Sequence, residues 1–337
     1  MSVETVALGT GGPQVSRVGL GLMGMSGIYG PADEAESIAT IRAALDAGIT
    51  LLDTGDFYGM GHNELLLRDA LRGVDRSAVF IQVKFGGQRD PGGAFVGYDA
   101  SPAAVKNSLA YSLTRLGTDY VDLYQPARLD PKVPIEDTVG AIAELIQAGY
   151  VRYVGLSEMG AATIRRADEV HPVSGLQIEF SLMSRGIEAG VLPAVRELGI
   201  SVTAYGILSR GLLGAGARQI GDGDPRQRFP RFQGENLRRN LALLAALEKI
   251  ADETGATPAQ LAFAWVLSRG ADIIPLIGTK RRDRLAEALG SLELRLGAEE
   301  LTALEEAVPP GEVAGDRYDA GSMAALDSER PAGDAQA

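Results

Sequence analysis

Eight short apolar runs alternating with longer amphipathic segments predict an α/β fold, a (β/α)8 TIM barrel with an N-terminal β-hairpin and extra C-terminal helices. Two observations carry this reading. The intervening segments have helical period and are long enough to be the crossovers that parallel strands need. A length of 337 residues, 45% hydrophobic and 23% charged, suits one barrel with an ample core.

The first segment, Val3–Ser16, holds two short alternating runs around Gly9-Thr10-Gly11-Gly12-Pro13, a hairpin placed to close the barrel floor. The eight strand runs are Arg17–Leu22, Thr50–Asp53, Val79–Lys84, Val121–Gln125, Tyr153–Ser157, Gly175–Glu179, Ser201–Ala204 and Asp272–Ile277. Helical segments between them include Asp33–Ala47, Asn63–Leu71, Ser101–Leu116, Ile135–Ala148 and Gly160–Glu169. The first follows Pro31 and stops before Gly48, and Ser101-Pro102 supplies an N-cap with proline at the first helical position. Gly206–Gln233 is a long Gly- and Arg-rich loop after the seventh strand, and loops of that length in a compact domain are usually functional. Residues 1–320 form a single barrel domain in this reading. The Gly-, Ala-, Asp- and Pro-rich end makes 321–337 a tail whose last ten residues are expected to be disordered.

Composition removes several classes of function. A net charge of −12 argues against a nucleic-acid or anionic-membrane surface. The absence of cysteine removes disulfides, thiolate metal sites and cysteine nucleophiles, and two histidines, His62 and His171, are too few for a multi-histidine metal hydrolase. The N-terminus lacks a basic stretch followed by an apolar one, and no run approaches the roughly 20 apolar residues of a membrane span, so a cytoplasmic protein is expected.

Gly19-Leu20-Gly21-Leu22-Met23-Gly24 matches a dinucleotide-binding fingerprint, but Ser26, Gly27, Gly30 and Pro31 follow where the helix should start. Chance spacing in a chain with 43 glycines explains it better. Asp53 and Lys84 end neighbouring strands, on the face where barrel active sites form, and each limits the cost of burying the other. On strand ends alone, a structural ion pair is as good a reading. Tyr58, in the loop DTGDFYG, tilts the balance, because a phenol beside an ammonium is expected to have a lowered pKa and to serve as a general acid. Lys280, Arg281, Arg282 and Arg284 open a helix where the macrodipole disfavours cations, which suggests a bound anion with Gly278 and Thr279 as donors; a solvated charged face is the alternative. Trp265 is expected in the core and His171 on the surface, while His62 is within reach of the site rim.

Together these segments resemble the aldo-keto reductase superfamily, in its bacterial branch near the potassium-channel β subunits and pyridoxal-type reductases. The resemblance runs from about residue 5 to 320, through VGLGLMGMSGIYG, ITLLDTGDFYGMGHNELLL, YVDLYQPARLDP, VRYVGLSE, QIEFSLMSR, AYGILSRGLLG, PRFQGENLRRN and IGTKRRDRLAEA. It implies a barrel that binds NADP(H) across the strand C-termini and reduces a small carbonyl substrate. Asp53, Tyr58 and Lys84 match three members of the family's catalytic tetrad, with Tyr58 as acid, Lys84 lowering its pKa and Asp53 holding Lys84. Ser157 and Gln177 match the residues on the nicotinamide carboxamide, and Tyr205 the aromatic that stacks on its ring. Leu208, Arg210 and Gly211 match the pyrophosphate loop. Gly278, Thr279, Lys280 and Arg284 match the segment around the 2′-phosphate, with Glu287 near the adenine, while Gly21 and Met23 would lie by the nicotinamide ribose and substrate. Glu158 and Ala288 stand where many relatives carry Asn. The tetrad histidine of the pattern YYQHRVDP falls on Ala127, which enlarges the pocket and removes a donor to the substrate carbonyl. Gln125, about two residues deeper on the same strand, is a candidate replacement. The gap motivates a second reading, an NADP(H)-binding sensor or regulatory subunit with weak or no turnover. The sequence leaves a homo-oligomer open.

Overall fold

The structure is a computed structural model, and it describes residues 3–221 and 223–330. The eight barrel strands are β3 (Gly19–Gly21), β4 (Leu51–Gly55), β5 (Phe80–Phe85), β8 (Val121–Pro126), β9 (Val151–Ser157), β10 (Val173–Glu179), β11 (Ser201–Tyr205) and β12 (Ile273–Gly278). They pair in parallel in chain order, and β12 closes on β3 through Leu276–Gly19 and Gly278–Gly21. Their sequences read as continuous apolar runs because both faces are covered: β4 and β5 are buried at every position.

Two antiparallel hairpins flank the barrel. The first, β1 (Thr5–Ala7) and β2 (Gln14–Ser16), pairs Val6 with Val15 and sits at the floor. Leu8 and Val15 pack there with Leu51, Phe80, Leu123, Ile274 and Leu276, and the Gly9 amide donates to the Ser201 hydroxyl at 2.8 Å. The second, β6 (Gly87–Arg89) and β7 (Phe95–Tyr98), rises after β5 at the opposite end and was not anticipated from the sequence.

The helices are α1 (Glu34–Asp46), α2 (His62–Ala70), α3 (Pro102–Leu116), α4 (Ile135–Gln147), α5 (Ala161–Val170), α6 (Val191–Leu198), α7 (Gly234–Thr254), α8 (Pro258–Ser268), α9 (Arg282–Leu289), α10 (Ala298–Ala307) and α11 (Ala320–Ala324). Capping follows the sequence: the Ser101 side chain caps α3, and Thr257 and Gln260 form a reciprocal capping box on α8. Trp265 is fully buried on α8, tilted against Phe180 with its indole donating to Glu305. The Gly206–Gln233 loop contains three 3-10 turns. Chain beyond α10 returns over the strand C-termini, so Ser328 and Glu329, placed by composition in the tail, are packed there; residues 331–337 lie outside the described part. Among the described residues, no helix is long and apolar enough to cross a membrane.

Candidate active site

The C-terminal ends of β4 and β5 place Asp53 and Lys84 side by side inside the barrel. The Lys84 Nζ donates to Asp53 Oδ1 at 2.5 Å, both side chains being almost wholly buried, and the Gln82 amide donates to the same oxygen at 3.2 Å. Burial pushes the Lys84 ammonium down and Asp53 pulls it back up.

Tyr58 follows β4 in a tight turn held by Asn63. That amide donates to the Leu22 carbonyl and the Ser26 hydroxyl, and its oxygen accepts from Thr54. The chain then runs through Gly59, Met60 and Gly61, all with positive φ (57°, 54° and 94°), and so reverses sharply into α2. Tyr58 is buried with its ring centroid 5.2 Å from Lys84 Nζ, and among the described residues its hydroxyl has no hydrogen-bond partner. Its pKa lies well above the ordinary phenol value because it is buried and because Asp53 opposes a second anion. This direction reverses the expectation from sequence. Lys84 is already paired with Asp53, so little of its charge is left to favour a phenolate.

Ser157 and Gln177 are paired across β9 and β10 at the same height. Among the described residues, the Ser157 Oγ and Gln177 Nε2 are both buried without a partner, an unmet hydroxyl beside an unmet amide donor. Such a pair fits a planar carboxamide. Tyr205 ends β11 next to them, its hydroxyl donating to Glu158 Oε1 at 2.6 Å and lying 3.0 Å from the Tyr318 hydroxyl. Leu208, Arg210 and Gly211 form the next turn, where Ser209 and Arg210 take positive φ of 45° and 56°. The Arg210 guanidinium lies 4.1 Å from the Phe229 ring centre and 4.5 Å from that of Tyr318, and its Nε is buried without a partner. Gly21 and Gly278, paired between β3 and β12, leave the rim open: a Cβ at Gly278 would meet nothing within 4 Å. Met23 begins the 3-10 turn beside them. These groups fit an extended dinucleotide.

The cationic helix start is compensated within the protein. Arg281 pairs with Asp283, Arg282 with Glu36 and Arg284 with Glu287, while Lys280 Nζ donates to the Pro31 carbonyl at 2.5 Å and Thr279 Oγ1 accepts from the Arg281 amide. All three ion pairs are solvent-exposed, and such pairs are worth little, so an incoming phosphate can displace their partners.

Three features were not legible beforehand. Glu158, just past β9, has φ 54° and is fully buried. Burial would raise its carboxyl, but the hydrogen bonds and charge of Arg317, helped by Arg128 and Ser328, hold it down at about 2. Arg317 also reaches Glu179 and Glu329, and Arg231 lies 3.5 Å from Glu179. The third feature is Arg128, beside Ala127. Neither histidine lies there: His62 is exposed at the start of α2 against Ser26, and His171 is partly exposed in a loop against the Pro172 carbonyl.

The family model described as Aldo/keto reductase family matches residues 17–309. The chain belongs to the aldo/keto reductase family. It is 41% identical over 319 residues to "Probable aldo-keto reductase 1" of Glycine max, covering 94% of this chain and 92% of that protein. Among solved structures, the glycerol dehydrogenase AKR11B4 from Gluconobacter oxydans superposes with a TM-score of 0.81 at 30% identity, over 92% of this chain and 97% of that one. The holo form of aldo-keto reductase AKR11C1 from Bacillus halodurans gives 0.77 at 28% identity, over 91% and 97%. This aldo-keto reductase is therefore an oxidoreductase of small carbonyl compounds in a family that uses nicotinamide cofactors.

Proposed function

We propose that the protein reduces an aldehyde or ketone to an alcohol with NADPH, Tyr58 acting as general acid. The observation that carries this is the buried Asp53–Lys84 pair beside the partnerless Tyr58 hydroxyl, on the face that also holds the unmet Ser157 and Gln177 groups. NADPH, when bound, supplies the hydride. Ser157 and Gln177 hold its carboxamide, Tyr205 flanks the ring, Leu208, Arg210 and Gly211 take the pyrophosphate, and Gly278, Thr279, Lys280 and Arg284 take the 2′-phosphate, with Glu287 by the adenine. Gly21 and Met23 border the ribose and substrate.

Tyr58 donates its hydroxyl proton to the carbonyl oxygen as the carbon is reduced. A phenol with a raised pKa is fully protonated at neutral pH and therefore always loaded. Lys84, held by Asp53 5.2 Å from the Tyr58 ring centre, fixes the surroundings of the phenol, and the charge of Arg128 favours the passing phenolate. Tyr58→Phe is expected to abolish NADPH oxidation, read as loss of 340 nm absorbance with an aldehyde panel, while NADPH affinity by fluorescence stays unchanged. Turnover by this variant at the wild-type rate sinks the mechanism.

Ala127 favours a second reading, an NADP(H)-binding sensor, because a lost donor to the developing oxyanion commonly costs on the order of 10²–10³ in rate. Single-turnover oxidation of bound NADPH by the same panel separates the two. Fast oxidation eliminates the sensor, and none across the panel favours it.

A further inference from the structure

The buried cations around the strand C-termini, Lys84, Arg231 and Arg317, each face a carboxylate. Lys84 is neutralised by Asp53, Arg317 by Glu158, Glu179 and Glu329, and Arg231 lies against Glu179. Arg210 and Arg128 are paired with no carboxylate among the described residues. Arg210 belongs to the proposed pyrophosphate loop, so phosphate is its natural counter-ion. Arg128 is far from that loop in sequence and has no such explanation.

Its position is fixed by the end of β8. Lys84 is in register with Gln125 and Phe85 with Pro126, and the Ala127 amide donates to the Phe85 carbonyl at 2.9 Å, so the chain is still tied to β5 when it reaches Arg128. The guanidinium donates to the Ala127 carbonyl at 2.5 Å. Arg128 stands two residues past the C-terminal end of β8, on the face that carries Tyr58, Lys84 and Tyr205, and its charge favours the Tyr58 phenolate and the Glu158 carboxylate while opposing the Lys84 ammonium. Glu158, an anion on the same face, is already held by Arg317 Nη1 and Nη2 and by the Ser328 hydroxyl. Arg128 is half-buried and has no carboxylate on it, and a guanidinium is matched by a planar carboxylate taken at two points.

We propose that Arg128 is a specificity-determining residue that binds a carboxylate on the substrate, so that the protein acts on small oxo acids in preference to neutral aldehydes and ketones. This rests on the carbonyl-reductase reading. Arg128 thereby positions the carbonyl beside Tyr58, the task left open by Ala127. Gln125, fully buried in the layer of Lys84 with both amide atoms unpartnered among the described residues, is the competing donor that the test has to separate.

The test compares kcat/KM for 2-oxobutanoate and 4-oxobutanoate with that for butanone and butanal, in wild type, Arg128→Met, Arg128→Lys and Gln125→Leu. Binding of propionate to the NADP⁺-loaded protein is measured alongside by calorimetry. The expected result is a preference for at least one oxo acid of about 10- to 100-fold, the scale of a charge-assisted pair of hydrogen bonds. Arg128→Met should remove the preference chiefly through KM, Arg128→Lys should restore part of it, and propionate binding should follow the same order. Equal use of acids and neutral carbonyls by the wild type overturns the proposal without any variant having to fold, and leaves carbonyl reduction standing. A preference that survives Arg128→Met but is lost in Gln125→Leu also overturns it. If no carbonyl is reduced at all, the carbonyl-reductase reading fails instead, and propionate binding that requires Arg128 still supports the anion site while its absence overturns that too.

Discussion

Asp53 is the residue on which the proposed chemistry depends, although it touches no reacting atom. Removing its charge leaves the Lys84 ammonium buried and unpaired, a change that typically costs about 3–5 kcal/mol. Asp53→Asn is therefore expected to lower Tm clearly and to reduce kcat more than it raises KM; equal Tm values for the variant and wild type refute the pairing. A second residue of this turn titrates in the physiological range. Burial, reinforced by repulsion from Glu64, pushes the Asp56 carboxyl up to about 7, against Arg115 and a hydrogen bond from Ser108. Its ordinary value is 3.8, so the native state holds the proton more tightly than the unfolded chain does. Stability from this group is full below pH 4 and is lost as pH rises to about 7, by up to about 4 kcal/mol. Asp56→Asn should raise Tm at pH 8 and gain little at pH 4.5, as read by thermal unfolding at both pH values. An equal gain at both would refute the assignment. The Asp53–Lys84 pair was legible in the sequence because a charged residue near the end of an apolar strand is conspicuous, and Tyr58 because it follows Asp53 in the loop on the same face. The raised pKa of Tyr58 was not, because it depends on how completely Asp53 occupies Lys84. Arg128 was hidden for a related reason: its meaning lies in the carboxylates absent around it.

At the scale of elements, strands and crossover helices follow from period and punctuation, but two segments do not. The β6–β7 hairpin is short and glycine-rich, and its apolar residues Phe95 and Val96 are exposed, so it carries no alternation to read. The chain from residue 321 onward looks like a tail by composition, yet Asp327, Ser328 and Glu329 are bonded to Gly160, Glu158 and Arg317 beside the strand C-termini. Arg317 meets Glu158 across 159 residues of sequence, and the Gly160 amide donates to Asp327 at 2.7 Å. Nothing local signals such a pairing. Its energetics are testable: Arg317→Ala strands the Glu158 carboxylate in the interior and is expected to cost about 3–5 kcal/mol in urea unfolding, whereas the double change Glu158→Gln with Arg317→Met should recover much of that loss. Additive losses would show that the two residues do not act as a pair.

At the scale of the whole molecule, the four non-glycine residues with positive φ among the described residues, Met60, Glu158, Ser209 and Arg210, all follow the C-terminal ends of barrel strands. Each costs on the order of 1–3 kcal/mol and persists because the surrounding structure over-determines it. The face opposite, floored by the β1–β2 hairpin, carries none among the described residues, so strain and chemistry are concentrated on one side of the barrel. Charge is distributed less simply. The net −12 repels an anionic cofactor at long range, so any preference for NADPH must come from the short segment Lys280 to Arg284, whose exposed pairs with Glu36, Asp283 and Glu287 have to yield to the 2′-phosphate. Lys280→Ala with Arg284→Ala is accordingly expected to weaken NADPH binding by roughly tenfold or more and to leave NADH binding within about twofold, since only NADPH carries the extra phosphate. Added salt should narrow the difference between the two cofactors in wild type, because it screens a surface contact, and should change little in the double variant. Fluorescence titrations of both cofactors at low and high ionic strength provide the comparison. Parallel weakening of NADPH and NADH would place these two side chains on the shared part of the dinucleotide and remove the physical basis for an NADPH preference.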